Sequence, residues 1–419
     1  MKYILACLVL IVVTRASAQI SFFKGSLQEV LVKAKQENKK VFVDFYADWC
    51  GPCKAMASRV FTQAEVGTYF NEHFVCCQLD VDAKEMANVV KQYKITSLPT
   101  LAFMDDAGKE IRRIEGVVAA DVLINEAKIT TGEALSFEQM YEKYKKSKKD
   151  TGLAQQLLLE APRFISVQKG YDQAKWKSRI DLLFPEYVKS KKLENMVNQP
   201  DFVIITLYHS KADPIFDFML QHYDEYVDCV GEKDISSYLA GLNNAYIIQL
   251  CKTGNTSYKK RLNRLDGDMQ KLYGMFKFGD LSVKEAITCL ADAAYYLHCH
   301  DEKAYIENMD KYFTGAEENL SVNDYTQALE EVHTVYGKSM SEGLQLKCID
   351  WATRALKKDM DPVVRVRLLL ITAECYAGTG KKDEAKQCLN QAFLKSGEID
   401  NKNMVLRMQM MIKNRIQKL

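Results

Sequence analysis

Turn-forming residues are scarce in the second half of this sequence. The 419 residues include 7 prolines and 20 glycines, and Pro362 is the only proline beyond Pro214. A composition so poor in these residues excludes a collagen-like repeat, and it predicts that the C-terminal half is mostly helical. The length predicts two or three domains.

An excess of charge of one sign is also lacking. The chain has 57 basic and 55 acidic side chains, so its composition indicates neither a nucleic-acid nor an acidic partner. We interpret the charge run at residues 142–150 as the solvated end of a connecting helix rather than a nucleic-acid patch. The sequence has no phosphate-binding glycine loop, dinucleotide fingerprint or serine nucleophile motif, so it does not support NAD or ATP dependence.

Long apolar runs are absent beyond the first 18 residues. Lys2, an apolar run over 3–13 and the small residues at 16–18 follow the order of a secretory signal, so residues 1–18 are predicted to be a signal peptide. This run is too short for a membrane span, and no stable span is expected in the mature chain. An uncleaved anchor, indicated by Arg15 near the cleavage site, and lipid attachment at Cys7 are the alternatives.

The number of cysteines argues against a purely structural disulfide framework. Twelve occur, and loss of Cys7 with the signal would leave an odd number, so a monomer keeps at least one free thiol. Cys76 and Cys77 are strand neighbours that point to opposite faces, and we predict buried free thiols rather than zinc ligands. The two histidines of the 298–300 segment (HCH) do not share a helix face. No metal site is predicted.

Helical and strand patterns alternate over residues 19–132. Helical periodicity is followed by short β-branched and aromatic runs, typical of strands buried on both faces of a sheet. The patterns predict an α/β domain of about 110 residues. Its predicted helices are at 26–39, 54–71, 83–93 and 120–129, and its predicted strands are at 41–46, 74–81, 100–104 and 111–114, the last two joined by a turn at 105–108.

Amphipathic helical segments dominate beyond residue 132. We predict a helical region over 133–340, in which Pro162, Pro185, Pro200 and Pro214 mark the breaks between helices. Residues 341–419 resemble tetratricopeptide repeats, because small residues such as Ala373 recur where two antiparallel helices would touch. The alternative is an irregular helical bundle that contains one repeat-like hairpin, since a repeat needs stacked neighbours to bury its face.

The segment Cys50-Gly51-Pro52-Cys53 directly follows the first predicted strand and begins a helix. Cysteines three apart lie on one face of the first helical turn, close enough to be bridged. Free N–H groups and the positive end of the helix dipole stabilise a thiolate at Cys50, the predicted nucleophile. Cys53 lies within reach of a mixed disulfide on Cys50 and can resolve it.

Asp44 interrupts the apolar strand that precedes this dithiol. Burial of a carboxylate is costly, so its pKa should be raised, and a carboxylate near neutrality can take the proton from Cys53 as a general base. The alternative is that Asp44 faces solvent on an edge strand.

These residues lie in segments that resemble thioredoxins. Residues 43–54 (VDFYADWCGPCK) resemble the thioredoxin active-site segment, and residues 95–100 (ITSLPT) resemble the cis-proline loop. The resemblance covers residues 21–128, about a quarter of the chain, and implies a central mixed sheet flanked by helices. It implies that Cys50 is the attacking thiol, Cys53 the resolving thiol and Asp44 the proton acceptor. The redox-active Cys50–Cys53 disulfide would then be the working group, with no separate cofactor.

The resemblance also implies a substrate site with a cis proline at position 99. The backbone of Leu98 would pair with an extended substrate segment, as in strand addition, so broad protein substrates are expected. Trp49 would belong to an apolar rim, although plain packing of this tryptophan is the alternative. The implied substrate-binding residues are Trp49, Gly51, Pro52, Leu98, Pro99 and Gly116.

Two further features refine the resemblance. Gln78 stands where many thioredoxins have a lysine near the buried aspartate, which puts in doubt how strongly Asp44 is charged. Residues 61–66 (FTQAEV) are more similar to exported thioredoxin-like domains, such as the periplasmic one at the end of a transmembrane electron carrier. A periplasmic location is therefore expected.

The favoured hypothesis is an exported thiol-disulfide oxidoreductase that reduces disulfides in extracytoplasmic proteins. It would receive electrons from an upstream donor protein and bind protein partners through its C-terminal helices. The alternative is a non-catalytic scaffold that uses the thioredoxin-like domain as a docking surface. The alternative predicts that Cys50→Ala leaves function intact.

Overall fold

The computed structural model describes residues 19–419 of the chain, so the predicted signal peptide lies outside the described residues. The chain divides into two compact units, one ending at Gln168 and one running Lys169–Leu419. Residues 133–168 therefore group with the preceding α/β domain. The boundaries predicted at residues 132 and 340 remain predictions.

A four-stranded mixed sheet lies at the centre of the first unit. Its spatial order is β2-β1-β3-β4, with β1 parallel to β2 and antiparallel to β3, which is antiparallel to β4. β1 is an inner strand whose five central residues are buried, as its continuous apolar run predicts. The outer strand β4 is charged along most of its length. The strands are β1 Lys40–Tyr46, β2 Phe74–Asp80, β3 Thr100–Met104 and β4 Glu110–Glu115.

Helices cover both faces of this sheet. Phe42, Phe70 and Phe103 share one core with α2, α3 and α5, and Val43 and Phe45 share the other with α1 and α4. The predicted fold class, an α/β thioredoxin fold, is confirmed. The helices of this unit are α1 Leu27–Glu37, α2 Gly51–Arg59, α3 Ala64–His73, α4 Ala87–Gln92, α5 Ala120–Thr131, α6 Phe137–Lys146 and α7 Thr151–Ser166, with a 3₁₀ turn at Lys84–Met86.

The single helix predicted over 54–71 is wrong, because α2 and α3 are separate. The Ile20 N–H donates to the Phe61 carbonyl at 2.9 Å, so this carbonyl bonds the N-terminal segment instead of continuing a helix. Val60 and Phe61 are both buried in the core at the break. The segment between α2 and α3 is therefore held by a contact with Ile20, which is distant in sequence.

The second unit is helical, which confirms the all-α prediction for the C-terminal region. No helix within residues 19–419 has the length and apolar character needed to cross a membrane. The helices are α8 Gly170–Lys191, α9 Gln199–Tyr208, α10 Pro214–Gln221, α11 Tyr223–Val230, α12 Glu232–Lys252, α13 Tyr258–Leu262, α14 Val283–His298, α15 Glu302–Gly315, α16 Val322–Tyr336, α17 Glu342–Leu356, α18 Pro362–Gly378, α19 Lys382–Ser396 and α20 Lys402–Lys418.

Two of the four predicted proline breaks are wrong. Pro200 and Pro214 lie in the first turns of α9 and α10, where a missing N–H costs little. Pro162 and Pro185, in contrast, lie inside α7 and α8. Each of these helices buries a row of apolar side chains, and this burial opposes the roughly 3 kcal/mol that an internal proline costs.

Helices α17, α18 and α19 bury the small residues that the repeat pattern singles out. Ala352 and Ala355 of α17, Ala373 of α18 and Ala385 of α19 are all at most 3 % exposed. Neighbouring helices of this set pack against each other in chain order. The tetratricopeptide resemblance itself remains a prediction.

Replacement of Phe42 should test the core on the α2 side of the sheet. Phe42→Ala removes a fully buried ring in edge or tilted contact with three other phenylalanines, and we expect a loss of about 3–5 kcal/mol in unfolding free energy. Urea titration measures this loss, and hydrogen-exchange mass spectrometry of the β1 and β3 peptides locates it. The control Val32→Ala, at a residue 49 % exposed, should change stability by less than about 1 kcal/mol. Equal losses in both variants would contradict this core assignment.

Candidate active site

The candidate dithiol lies where β1 gives way to α2. Cys50 is the N-cap of α2 and is joined to Cys53 by a disulfide, with 5.3 Å between the Cα atoms. The Cys53 backbone N–H donates to Cys50 Sγ at 3.1 Å. Pro52 occupies the first turn, where the missing N–H leaves no helical bond unmade. The helix start therefore directs a backbone donor at the sulfur of Cys50.

The two cysteines differ in position rather than in overall exposure. Cys50 is 3 % and Cys53 is 4 % exposed in the disulfide form. Cys50 lines an open cleft, whereas Cys53 is absent from the residues that line it. Both pack in a small apolar cluster with Ala47 against Leu98. An incoming sulfur in the cleft would meet Cys50 first.

The cleft beside Cys50 has a volume of about 520 Å³ and combines the active-site segment with the predicted cis-proline loop. The Leu98–Pro99 bond is cis. Pro99 and Gly116 do not line the cleft; the Gly116 N–H donates to the Pro99 carbonyl at 2.8 Å, and Gly116 has a φ of 89° that favours glycine. The lining residues are Trp49, Cys50, Gly51, Pro52, Val81, Asp82, Val90, Ile95, Thr96, Ser97 and Leu98.

Four of the predicted substrate-binding residues thus line the cleft, and several lining residues were not predicted. Thr96 and Ser97 belong to the cis-proline loop segment 95–100, in which the sequence predicts substrate contacts only for Leu98 and Pro99. Val81 and Asp82 follow β2, and Val90 lies on α4. Nothing in the local sequence distinguishes Val90 from other apolar helix residues, because its place depends on how α4 packs on the sheet.

Trp49 projects from the rim and does not pack as a core residue. Trp49 is 72 % exposed, and its indole N–H donates to Asp82 Oδ2 at 2.7 Å. An exposed indole held by one hydrogen bond presents apolar area to a partner at low cost in conformational entropy. Trp49 is therefore not packed in the interior of the domain, as the alternative would require.

Asp44 is buried in the inner strand β1 and is 1 % exposed, which excludes the edge-strand alternative. Burial raises the pKa of its carboxyl group to about 6, although a hydrogen bond from Gln78 opposes the shift. Gln78 is its register partner on β2 and donates from Nε2 to Asp44 Oδ2 at 2.9 Å. The other oxygen, Oδ1, is buried and has no hydrogen-bond partner, so it is available to a proton.

Cys76 and Cys77 are buried free thiols on opposite faces of the sheet, as their strand spacing predicts. Burial raises the pKa of both, that of Cys77 to about 12, so neither is a thiolate near neutral pH. His298 ends α14 and His300 lies beyond it with a φ of 58°. Within residues 19–419 no three His, Cys, Asp or Glu side chains are grouped as a metal site.

Comparison with known proteins identifies the domain that carries this site. The family model described as a thioredoxin-like domain matches residues 27–128. A thioredoxin-like protein of Synechocystis is 37 % identical over 91 residues, which are 22 % of this chain and 81 % of that protein. The chain belongs to the thioredoxin family. With its Cys50–Cys53 pair, this thioredoxin-family protein is a thiol-disulfide oxidoreductase.

Other relatives contain a similar domain within longer chains. The thiol:disulfide interchange protein DsbD of Actinobacillus pleuropneumoniae is 35 % identical over 105 residues, 24 % of this chain and 18 % of DsbD. The crystal structure of the oxidised C-terminal domain of DsbD from Neisseria meningitidis is 29 % identical, covering 26 % of this chain and 98 % of that domain, with a TM-score of 0.24. Both likenesses are confined to about a quarter of this thioredoxin-family chain.

Asp44→Asn should stabilise the oxidised protein in a pH-dependent way. Because burial raises the folded pKa above its ordinary value of 3.8 to about 6, the native state binds more protons than the unfolded state between these values. Wild-type stability therefore falls as pH rises through this window. We expect the unfolding free energy of the variant to exceed that of the wild type by up to about 3 kcal/mol at pH 8 and by much less at pH 4.

Urea unfolding at both pH values measures this difference, with Asp106→Asn, in the exposed turn after β3, as the matched control. A stability gain of Asp44→Asn that is equal at pH 4 and pH 8 would contradict the raised pKa.

Proposed function

We propose that this protein is exported and reduces disulfides in extracytoplasmic proteins through Cys50 and Cys53. The observation that carries the proposal is a disulfide at a helix start, with one of its cysteines on an open cleft and the other behind it. This arrangement suits exchange with a disulfide presented by another protein. A docking surface would require neither the pair nor a buried carboxyl group in the neighbouring strand.

In the first step, the Cys50 thiolate attacks one sulfur of a substrate disulfide. A bond forms between Cys50 Sγ and that sulfur, and the other substrate sulfur leaves as a thiolate. The helix start lowers the cost of the Cys50 thiolate, because the Cys53 N–H points at its sulfur and the helix dipole favours negative charge there. Trp49 and Leu98 would hold the substrate chain in the cleft.

In the second step, Cys53 loses its proton and attacks Cys50 Sγ. The Cys50–Cys53 disulfide forms, and the second substrate sulfur leaves as a thiolate, so two electrons have passed from the protein dithiol to the substrate. We assign the proton to Asp44, whose unpartnered oxygen and raised pKa suit a general base near neutral pH. An upstream dithiol protein would then reduce Cys50–Cys53 again.

One feature supports an extracytoplasmic role, and one relative supports the proposed chemistry. The order of charged, apolar and small residues at 1–18 is that of a secretory signal. The DsbD relative is, by its name, a thiol:disulfide interchange protein, and we extend that chemistry to this chain. The periplasm is the proposed compartment, and the helices after residue 168 are proposed to bind protein partners.

Cys53→Ser should trap the first intermediate. The variant can still attack through Cys50 but has no thiol to resolve the product, so covalent adducts with disulfide-containing substrate proteins should accumulate at least tenfold over wild type. Non-reducing electrophoresis with mass spectrometry detects them. The matched variant Cys50→Ser should form few adducts. Full function of Cys50→Ala would favour the scaffold alternative. Equal trapping through either cysteine would overturn the attacking and resolving roles assigned to Cys50 and Cys53.

The direction of electron flow is tested by the reduction potential. The Gly-Pro pair between the cysteines resembles reducing members of the family, so we expect a potential near about −270 mV, more negative than that of glutaredoxins. Equilibration in glutathione buffers of known ratio, followed by thiol trapping, measures it. A value near about −120 mV, as for a strong oxidant, would reverse the proposed direction.

A further inference from the structure

Helix α20 carries charge of one sign only. Residues 402–419 include five basic side chains and no acidic one, whereas the whole chain is nearly neutral. Helix α19, against which α20 packs, has three lysines and two acidic residues, so it does not cancel this charge. The basic residues of α20 are Lys402, Arg407, Lys413, Arg415 and Lys418.

One side of α20 is packed and the opposite side faces solvent. Met408, Ile412 and Ile416 recur every four residues and pack in a hydrophobic cluster with α18 and α19. Arg407 and Lys418 lie together on the outer face, because their separation is about three helical turns. Both are exposed, and neither has an ion-pair partner within residues 19–419. Two positive charges are therefore uncompensated on this face.

Exposed apolar side chains flank these two charges on both sides. Leu406 and Met410 are 64 % and 67 % exposed and lie one turn apart along one flank. Met404 and Met411 lie two turns apart along the other flank and are also exposed. An exposed apolar strip beside basic residues is typical of a surface that binds a partner with both apolar and anionic parts.

The outer face of α20 is a ridge rather than a groove. It has an open depression of about 460 Å³, and every residue that lines this depression belongs to α20. A helix of a protein partner usually docks in an apolar groove, which this ridge does not provide. A lipid surface needs no groove, because it accepts apolar side chains between its headgroups and offers phosphate oxygens to arginine and lysine. The lining residues are Arg407, Met410, Met411, Asn414, Arg415 and Lys418.

We propose that α20 binds the surface of a membrane that contains anionic phospholipids. Leu406 and Met410 enter the boundary between headgroups and acyl chains, and Arg407 and Lys418 contact lipid phosphates. The packed side of the helix, centred on fully buried Ile412, stays on the core, so the helical unit keeps its fold when it binds. This contact goes beyond the proposed function, because it uses neither active-site cysteine.

Sedimentation with lipid vesicles tests the proposal. The chain is used without its predicted signal peptide, as residues 19–419, so that the apolar run at 3–13 cannot itself bind lipid. Vesicles of phosphatidylglycerol and phosphatidylcholine in equal parts are compared with vesicles of phosphatidylcholine alone.

Binding should be stronger to the anionic vesicles by about tenfold or more. Each basic residue that reaches an anionic surface strengthens binding about fivefold, and two are uncompensated here. Raising the salt concentration from about 0.05 M to about 0.5 M should weaken this binding, because salt screens the charges. Absence of binding, or equal binding to both kinds of vesicle, would overturn the proposal.

Two double variants locate the contact on α20. Leu406→Gln with Met410→Gln removes the apolar flank, and Arg407→Gln with Lys418→Gln removes the uncompensated charges. All four residues are exposed, so both variants should fold. Each should bind the anionic vesicles about tenfold more weakly than the wild type does. Unchanged binding in both variants would overturn the assignment to α20.

Matched controls remove the same kinds of side chain elsewhere in the helical unit. Leu182→Gln with Leu207→Gln replaces two exposed apolar residues on α8 and α9. Lys211→Gln with Lys277→Gln removes two exposed positive charges. Both controls should bind the anionic vesicles as the wild type does, and a loss equal to that of the α20 variants would contradict a specific contact.

A variant without the active-site dithiol separates this contact from the proposed function. Cys50→Ser with Cys53→Ser should bind the anionic vesicles as the wild type does. Vesicle binding can thus be present when disulfide reduction is absent, and disulfide reduction can be present when vesicle binding is absent. Loss of vesicle binding in this variant would contradict a contact made by α20 alone.

Methionine oxidation tests the contact in the wild-type sequence. Hydrogen peroxide converts exposed thioethers to sulfoxides, and mass spectrometry measures the rate at each residue. Anionic vesicles should slow oxidation of Met410 severalfold and leave Met275, which is 41 % exposed in the same unit, unchanged. An unchanged rate at Met410 in vesicle-bound protein would overturn the proposal, even if the variants fail to fold. Protection of Met410 by a second copy or by an acidic protein, without vesicle binding, would replace the lipid surface with a protein partner.

Discussion

A buried strand that is followed, after a three-residue turn, by the N-cap of a helix is the constraint on which the active site depends. β1 is held on both edges by β2 and β3 and on both faces by helices, so its carboxyl end has one position. The chain turns there through residues 47–49 and places Cys50 at the N-cap of α2. The sulfur therefore meets a backbone N–H whose direction is fixed by the sheet. The contact between Cys50 Sγ and this backbone donor is a consequence of where the sheet ends.

The same strand places the carboxyl group of Asp44 in the buried interior of the domain. An ionised group inside an apolar strand lowers stability, and Gln78 compensates only one of its two oxygens. Folding tolerates the cost because the surrounding sheet and helices are tightly packed. A domain that keeps such a residue exchanges some stability for a group that titrates near neutral pH.

Much of the first unit follows from its sequence, because its strands are short apolar runs and its dithiol lies in a specific motif. Features that depend on distant contacts were not predictable in this way. The segment between α2 and α3 accepts a hydrogen bond from Ile20, and the place of Val90 in the cleft depends on the packing of α4. Local proline rules also misplaced two breaks in α7 and α8, because they count the lost hydrogen bond and omit the side-chain packing.

The outer strand β4 has a consequence for contacts between copies of this protein. An outer strand with free backbone groups can pair with the same strand of another molecule and start aggregation. Four of the six β4 side chains are charged, and Arg112 pairs with Glu126 while Arg113 pairs with Glu110. Pairing of two β4 strands from different molecules would remove water from these ion pairs. The strand thus completes the sheet while disfavouring its growth into a polymer.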